Sequence, residues 1–221
     1  MTAASGESQW GRLAITVATS LLFSRCMPPR VEFINMPTDR VESVSGLLDL
    51  KGGAIPRRVE AMAVVQLPNR IRLELSGGGG VEAVVILAAG KAWIARPPDR
   101  LVYATTVDDL SQRLLGVHVN AEDLAGFLTG RQEFLQDWTA EGRNFDSARE
   151  QSLRIRTKID PETAFPVAIE LLQKGKLQAT FRWRQVQFNT DPDPTAFLPP
   201  SGYAECDWET ITADTGITRT R

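Results

Sequence analysis

From Arg70 to Leu75 the chain alternates without a break, Ile71, Leu73 and Leu75 standing against Arg70, Arg72 and Glu74. In an extended backbone successive side chains leave opposite faces, so this pattern describes a strand that is buried on one face and wet on the other. The same period recurs along most of the sequence and confines the fold to an antiparallel sheet with one apolar face. Val59, Ala61, Ala63, Val65 and Leu67 share a face over 57–67, against Arg58, Glu60 and Gln66. Shorter strands are expected at 46–51, 81–87, 91–96 and 100–105. Gly52-Gly53, the four glycines Gly77 to Gly80, Ala89-Gly90 and Pro97-Pro98-Asp99 separate them, and loops this short join antiparallel neighbours.

At Val107 the period changes. Val107, Leu110 and Leu114 fall at helical spacing before Gly116, a natural stop. Asn120, with Asp123 three residues on, is a variant capping box that opens a second helix; Leu124, Phe127 and Leu128 form its apolar face and Gly130 closes it. Sheet patterning then resumes, with strands expected at 134–140, 152–159, 165–172 and 176–188. In the last of these Leu177, Ala179, Phe181 and Trp183 hold one phase and Val186 and Phe188 the other. A one-residue slip near Arg184 and Gln185 predicts a β-bulge, a device that bends a sheet toward closure. The fold class expected is mainly β (α+β): an incomplete antiparallel β-barrel with a short helical lid over an apolar cavity.

At 221 residues one domain is expected, and the chain divides into four segments. Residues 1–26 read as a signal peptide, because the eleven apolar residues Leu13 to Phe23 follow Arg12 and are too few to span a bilayer. That run ends in Leu22-Phe23-Ser24-Arg25-Cys26, which makes Cys26 a candidate lipid-attachment site. A disulfide between Cys26 and Cys206, or a buried first helix in a cytosolic protein, are the other readings. Residues 27–45 read as a linker with a helical turn over 39–45, residues 46–202 as the half-barrel, and residues 203–221 as an edge strand and tail.

Chemistry is hard to assemble from these residues. His118 is the single histidine and Cys26 and Cys206 have no metal-ligand spacing, so the sequence supplies no catalytic triad, no metal site and no cofactor motif. Asp108-Asp109 and Glu122-Asp123 stand in first helical turns, where the macrodipole favours them. Gly77 to Gly80 lacks the GK[ST] of a phosphate loop. A net charge of −2 removes the case for nucleic acid. Arg154, Arg156 and Lys158, with Arg182 and Arg184, form basic faces that read as a solvated outer sheet surface or as a contact for headgroups or an acidic partner.

What remains is apolar surface: Ile71, Leu73, Leu75, Val85, Leu87, Trp93, Phe181 and Trp183 on strands, with Leu110, Leu114, Leu124, Phe127 and Leu128 on helices. Alternation alone does not distinguish a filled core from a cavity. Three passages bear on this: Leu67-Pro68-Asn69-Arg70-Ile71-Arg72-Leu73-Glu74-Leu75, then Gly90-Lys91-Ala92-Trp93-Ile94, then Leu114 to Gly130. In this order they resemble the periplasmic lipoprotein carrier and receptor family LolA and LolB, LolB-like lipoproteins above all, and Asn189 to Pro192 and Phe197 to Pro200 are similar to the family's tail. Leu67 stands where the carrier has an arginine, and Gly77 to Gly80 where the receptor has a loop with an exposed leucine.

The resemblance implies a non-enzymatic protein whose partners are the acyl chains of lipoproteins or other lipids, with those thirteen side chains around the chain. It implies an outer-membrane lipoprotein facing the periplasm, held to the membrane surface through Cys26, or a soluble periplasmic form, and a periplasmic carrier as transfer partner. The alternative is an envelope structural or sensory lipoprotein of the same fold, with a filled core and a protein partner.

Overall fold

The computed structural model describes residues 30–37, 40–77, 80–135, 137–148 and 152–213. Residues 1–26, with the expected signal peptide and Cys26, lie outside the described residues.

Strict alternation becomes strand wherever the sequence showed it. The first meander comprises β2 (Ser43–Gly52), β3 (Ile55–Gln66), β4 (Arg70–Gly77), β5 (Gly80–Ala88), β6 (Lys91–Arg96) and β7 (Leu101–Thr106). The second comprises β8 (Trp138–Glu141), β9 (Asn144–Ser147), β10 (Leu153–Ile159), β11 (Pro166–Gln173) and β12 (Lys176–Trp183), continued by β13 (Gln185–Phe188). Between the meanders stand α1 (Val107–Leu115) and α2 (Ala121–Thr129). The meanders join through β12 against β2, giving the order β7-β6-β5-β4-β3-β2-β12-β11-β10-β9-β8. A short β14 (Ala204–Glu205) runs parallel to β7 at one end, and β8 forms the other end. The two ends do not pair, so the curved sheet stays open, and the expected incomplete antiparallel barrel is the fold observed.

The bulge read from the change of phase is present. Trp183 pairs with Leu48 and Gln187 with Ser45, which leaves one extra residue on the β12–β13 side around Arg184 and Gln185. Gly46 lies opposite with φ of +154°, and a Cβ there would stand 2.0 Å from the Gln185 carbonyl oxygen, so only glycine lets the two backbones approach this closely.

Apolar residues of the concave face and of both helices form the main core. Val44, Leu48, Ala61, Ala63, Val65 and Ile71 line it from the first meander, and Ile155, Ile169, Leu171 and Phe181 from the second. A smaller cluster sits on the outer face, where Val84, Ile86, Ala95 and Val102 pack under Phe197 of the proline-bearing tail. Arg72 fixes that tail by donating to the Ala196 carbonyl at 2.9 Å.

Five expectations are corrected. Ser43 to Ser45 are strand rather than helical turn, because Ser45 pairs with both Val64 and Gln187. The ordered sheet also begins before residue 46, since β1 (Glu32–Ile34) runs parallel to β13. Phe134 belongs to a 3₁₀ turn, Gln132–Phe134, and the strand expected from residue 134 begins only at Trp138. Leu177 leaves the inner phase: a register shift between Leu171 and Leu172 sets it opposite Leu172 and leaves it 57% exposed. The tail supplies the expected edge strand only as the two-residue β14, and a helix not expected from sequence, α3 (Trp208–Thr212), follows it. No helix among the described residues is long and apolar enough to cross a membrane.

Candidate functional site

Each helix is bounded by its own local caps. Thr106 caps α1 by accepting from Asp109 N at 3.2 Å, and Asn120 caps α2 by accepting from Asp123 N at 2.7 Å. Gly116 and Gly130 end them with φ of 75° and 74°, left-handed values that glycine adopts without penalty. Between the helices Ser111 donates to the Asp108 carbonyl and accepts from Val119 N, so its buried hydroxyl is satisfied within the insert.

Hydrogen bonds fasten the pair to the surrounding chain. The Ala54 amide donates to the Leu114 carbonyl at 3.1 Å, and the backbone passes so close that a Cβ on Gly53 would stand 2.0 Å from the same oxygen. Trp183, 2% exposed, donates its indole N–H to the Leu128 carbonyl at 3.3 Å, one of the acceptors that the end of α2 leaves open. Arg131, just beyond α2, donates to the Val41 carbonyl at 2.6 Å.

The outward side of α1 is tied to β7 and α3. Asp109 accepts from Tyr103 and Thr105 at 3.1 and 2.9 Å and pairs with Arg113 at 2.9 Å. Burial alone would raise its carboxyl pKa, but hydrogen bonds from Thr105, Arg113 and Tyr103 outweigh it and hold the group below the usual carboxylate range. The Arg113 guanidinium lies 5.3 Å from the centre of the Trp208 ring, which meets Tyr103 edge-on.

Under the helices runs an apolar seam. Its walls are Leu50, Ile55, Leu73, Leu75, Val85, Leu87 and Phe181 from the sheet and Leu110, Ser111, Leu114, Leu115 and Leu124 from the helices. The space between them is about 30 Å³, room for a water or two and far short of an acyl chain. The seam is apolar and nearly filled.

Eight of the thirteen residues singled out from sequence meet at this seam: Leu73, Leu75, Val85, Leu87, Leu110, Leu114, Leu124 and Phe181. Ile71, Phe127, Leu128 and Trp183 lie in the same core without forming its wall. Phe127 instead packs edge-on against Trp138 and Phe145, with ring centres 5.0 and 5.1 Å apart. Trp93 is a correction: Ala92 and Ile94 point inward, Trp93 pairs with Ile86, and its ring joins the outer cluster beside Phe197.

Sequence reasoning missed Leu50, Ile55, Ser111 and Leu115. The alternation of Leu48 and Leu50 with Asp49 and Lys51 was a usable signal for the first. Ile55 was hidden by the glycine turn before it, and Leu115 by its neighbour Leu114.

The His118 Nδ1 stands 2.9 Å from an Asp108 carboxylate oxygen, the acceptor of the pair, on the exposed rim of the insert. Among the described residues no group of three or more His, Cys, Asp or Glu is placed to hold a metal ion. Cys206 is a free, half-buried thiol; burial pushes its pKa up, with Asp207 adding to the rise, away from a reactive thiolate.

The sequence matches no family model and no curated protein. Among solved structures it is similar to an uncharacterized conserved protein from Thermus thermophilus, at 10% identity and a TM-score of 0.43, over 86% of this chain and 98% of that one. It is also similar to a LolA superfamily protein from Nitrosomonas europaea, at 10% identity and a TM-score of 0.43, over 73% and 92%. Likenesses this remote carry no argument about what the chain binds.

Proposed function

We propose that this protein is a non-catalytic binder of lipid acyl chains in the cell envelope, acting as a LolB-like receptor in lipoprotein localisation with Cys26 as its lipid anchor. The observation that carries the reading is the seam: two short helices, separately capped, lie over a wholly apolar sheet face, and the one polar side chain they add to the lining, Ser111, is satisfied within the insert.

Binding in this scheme requires α1 and α2 to lift. Lifting alone exposes several leucines at about 1.5–3 kcal/mol each. A chain that takes their place against the sheet covers both surfaces again. Burying sixteen carbons contributes on the order of 12 kcal/mol at about 0.8 per methylene, enough to offset that opening.

A second reading rests on the same seam. A space of about 30 Å³ is what a filled core looks like, and it favours an envelope structural or sensory protein that binds a protein partner. Organic extraction of the purified protein with mass spectrometry, together with displacement of a fluorescent fatty acid, separates the two. Acyl lipid in the extract or saturable probe binding supports the first; neither supports the second. Palmitate labelling of cells carrying wild type or Cys26→Ser tests the anchor, and equal labelling would refute it.

A further inference from the structure

The outer face of β10, β11, β12 and β2 carries a groove of about 320 Å³ on the side of the sheet away from the seam. Lys51, Arg58, Arg156, Lys158 and Arg182 line it, with Asp49 and Glu170 as its carboxylates. Those two carboxylates are already engaged. Asp49, with a side chain 5% exposed, pairs with Arg58 and, at 2.9 Å, with Arg184, while its Oδ1 is buried without a partner. Glu170 pairs with Arg156 at 3.2 Å.

Lys51, Lys158 and Arg182 are exposed and form none of the ion pairs found among the described residues. Register places Lys158 and Arg182 on either side of Ala168, on one face and two strand spacings apart, about 10 Å. The small side chain between them leaves the gap open to an anion. Leu177 borders the same groove, lifted outward by the register shift that breaks its phase.

A chain with net charge −2 therefore collects unpaired cations beside an exposed leucine on one face. Charge complementarity calls for an anionic occupant, and the leucine calls for an apolar layer directly beneath the charge. The headgroup boundary of an anionic bilayer offers both in that order. We propose that this face docks on anionic phospholipid, with Lys51, Lys158 and Arg182 against headgroup phosphates and Leu177 at the acyl boundary. The proposal is independent of whether the seam takes an acyl chain.

The test is co-sedimentation of the full chain with phosphatidylcholine vesicles, with and without phosphatidylglycerol. The readout is the gain in binding due to the anionic lipid, because apolar segments elsewhere contribute to both. Each cation near such a surface is worth about five-fold in partitioning, so Lys158→Gln with Arg182→Gln lowers the gain by on the order of 25-fold. Leu177→Ser lowers it further, and added salt abolishes it. Both variants are surface changes and keep the melting temperature, which the same samples report. No gain on anionic vesicles, or a gain that survives the double substitution, overturns the proposal. Capture of polyglutamate in place of vesicles also overturns it, in favour of an acidic protein partner.

Discussion

Trp183→Phe isolates one of the contacts that hold the helix pair down. In the folded protein its indole N–H is the donor to the Leu128 carbonyl at 3.3 Å, near the end of α2, in a site 2% exposed. Phenylalanine keeps the aromatic body beside Phe165 but removes the donor, leaving a buried carbonyl unpaired at a cost of about 1–3 kcal/mol. The lost ring atoms add packing loss, so global stability falls by about 2–4 kcal/mol. The hydrogen-bond part is lost only while α2 is seated, so the closed arrangement is weakened relative to the lifted one. A shift of 1–2 kcal/mol in that balance multiplies the lifted population by about 5–30. If acyl chains enter only when the pair lifts, stopped-flow mixing with a fluorescent fatty acid shows an association rate faster by that factor. Urea unfolding, run in parallel, reports the global loss. An association rate unchanged in a variant that is measurably less stable would refute the gating role of this contact.

Three further outcomes follow from the same contacts. Asn120→Ala removes the cap on α2 and lowers stability by about 1 kcal/mol in urea melts, while Asn120→Asp, which keeps the acceptor, restores most of it. Gly53→Ala drives a Cβ into the Leu114 carbonyl at a backbone φ of +56° and costs about 1–3 kcal/mol, read as a fall in melting temperature. Burial alone would raise the Asp49 pKa, but Arg58 and Arg184 hold it below the ordinary carboxylate range. Its stabilisation is therefore complete above the unfolded value near about 4 and is lost as pH falls through the lower folded value. The stability gap between wild type and Asp49→Asn stays level from neutral pH down to mildly acid conditions and closes only in strong acid, as pH-dependent urea melts would show.

Much of this architecture was legible because each strand's burial is written in its own residues. Arg70 to Leu75, and Leu153 to Ile159, alternate so strictly that no other element accommodates them. The second helix carried its start and stop signals at Asn120 and Gly130, and the first its stop at Gly116. Even the bulge at Arg184 showed as a change of phase between Trp183 and Val186.

What stayed hidden depends on partners far away in sequence. Glu32–Ile34 is a strand only because β13, some 150 residues on, offers an edge beside it. Ser43 to Ser45 have weak preferences of their own, and pairing with Val64 and Gln187 decides them. Trp93 reads from sequence as one of the interior apolar residues, although Ala92 and Ile94 on either side hold the inner phase. A large ring is accommodated outside because it packs against the outer cluster of Val84, Ile86, Ala95, Val102 and Phe197. The candidate site was legible as a set of apolar faces but not as a volume, since alternation gives the side a residue faces and not how closely the opposing helices pack.

The central claim is that an acyl chain occupies the seam between the helix pair and the concave sheet. Photo-crosslinking with a diazirine-bearing fatty acid, followed by peptide mapping, tests it most directly. The account predicts saturable labelling of Leu73, Leu75, Leu114, Leu124 and Phe181, suppressed by excess palmitate. Labelling confined to the outer face around Leu177 and Trp93, or labelling that palmitate leaves unchanged, would contradict it.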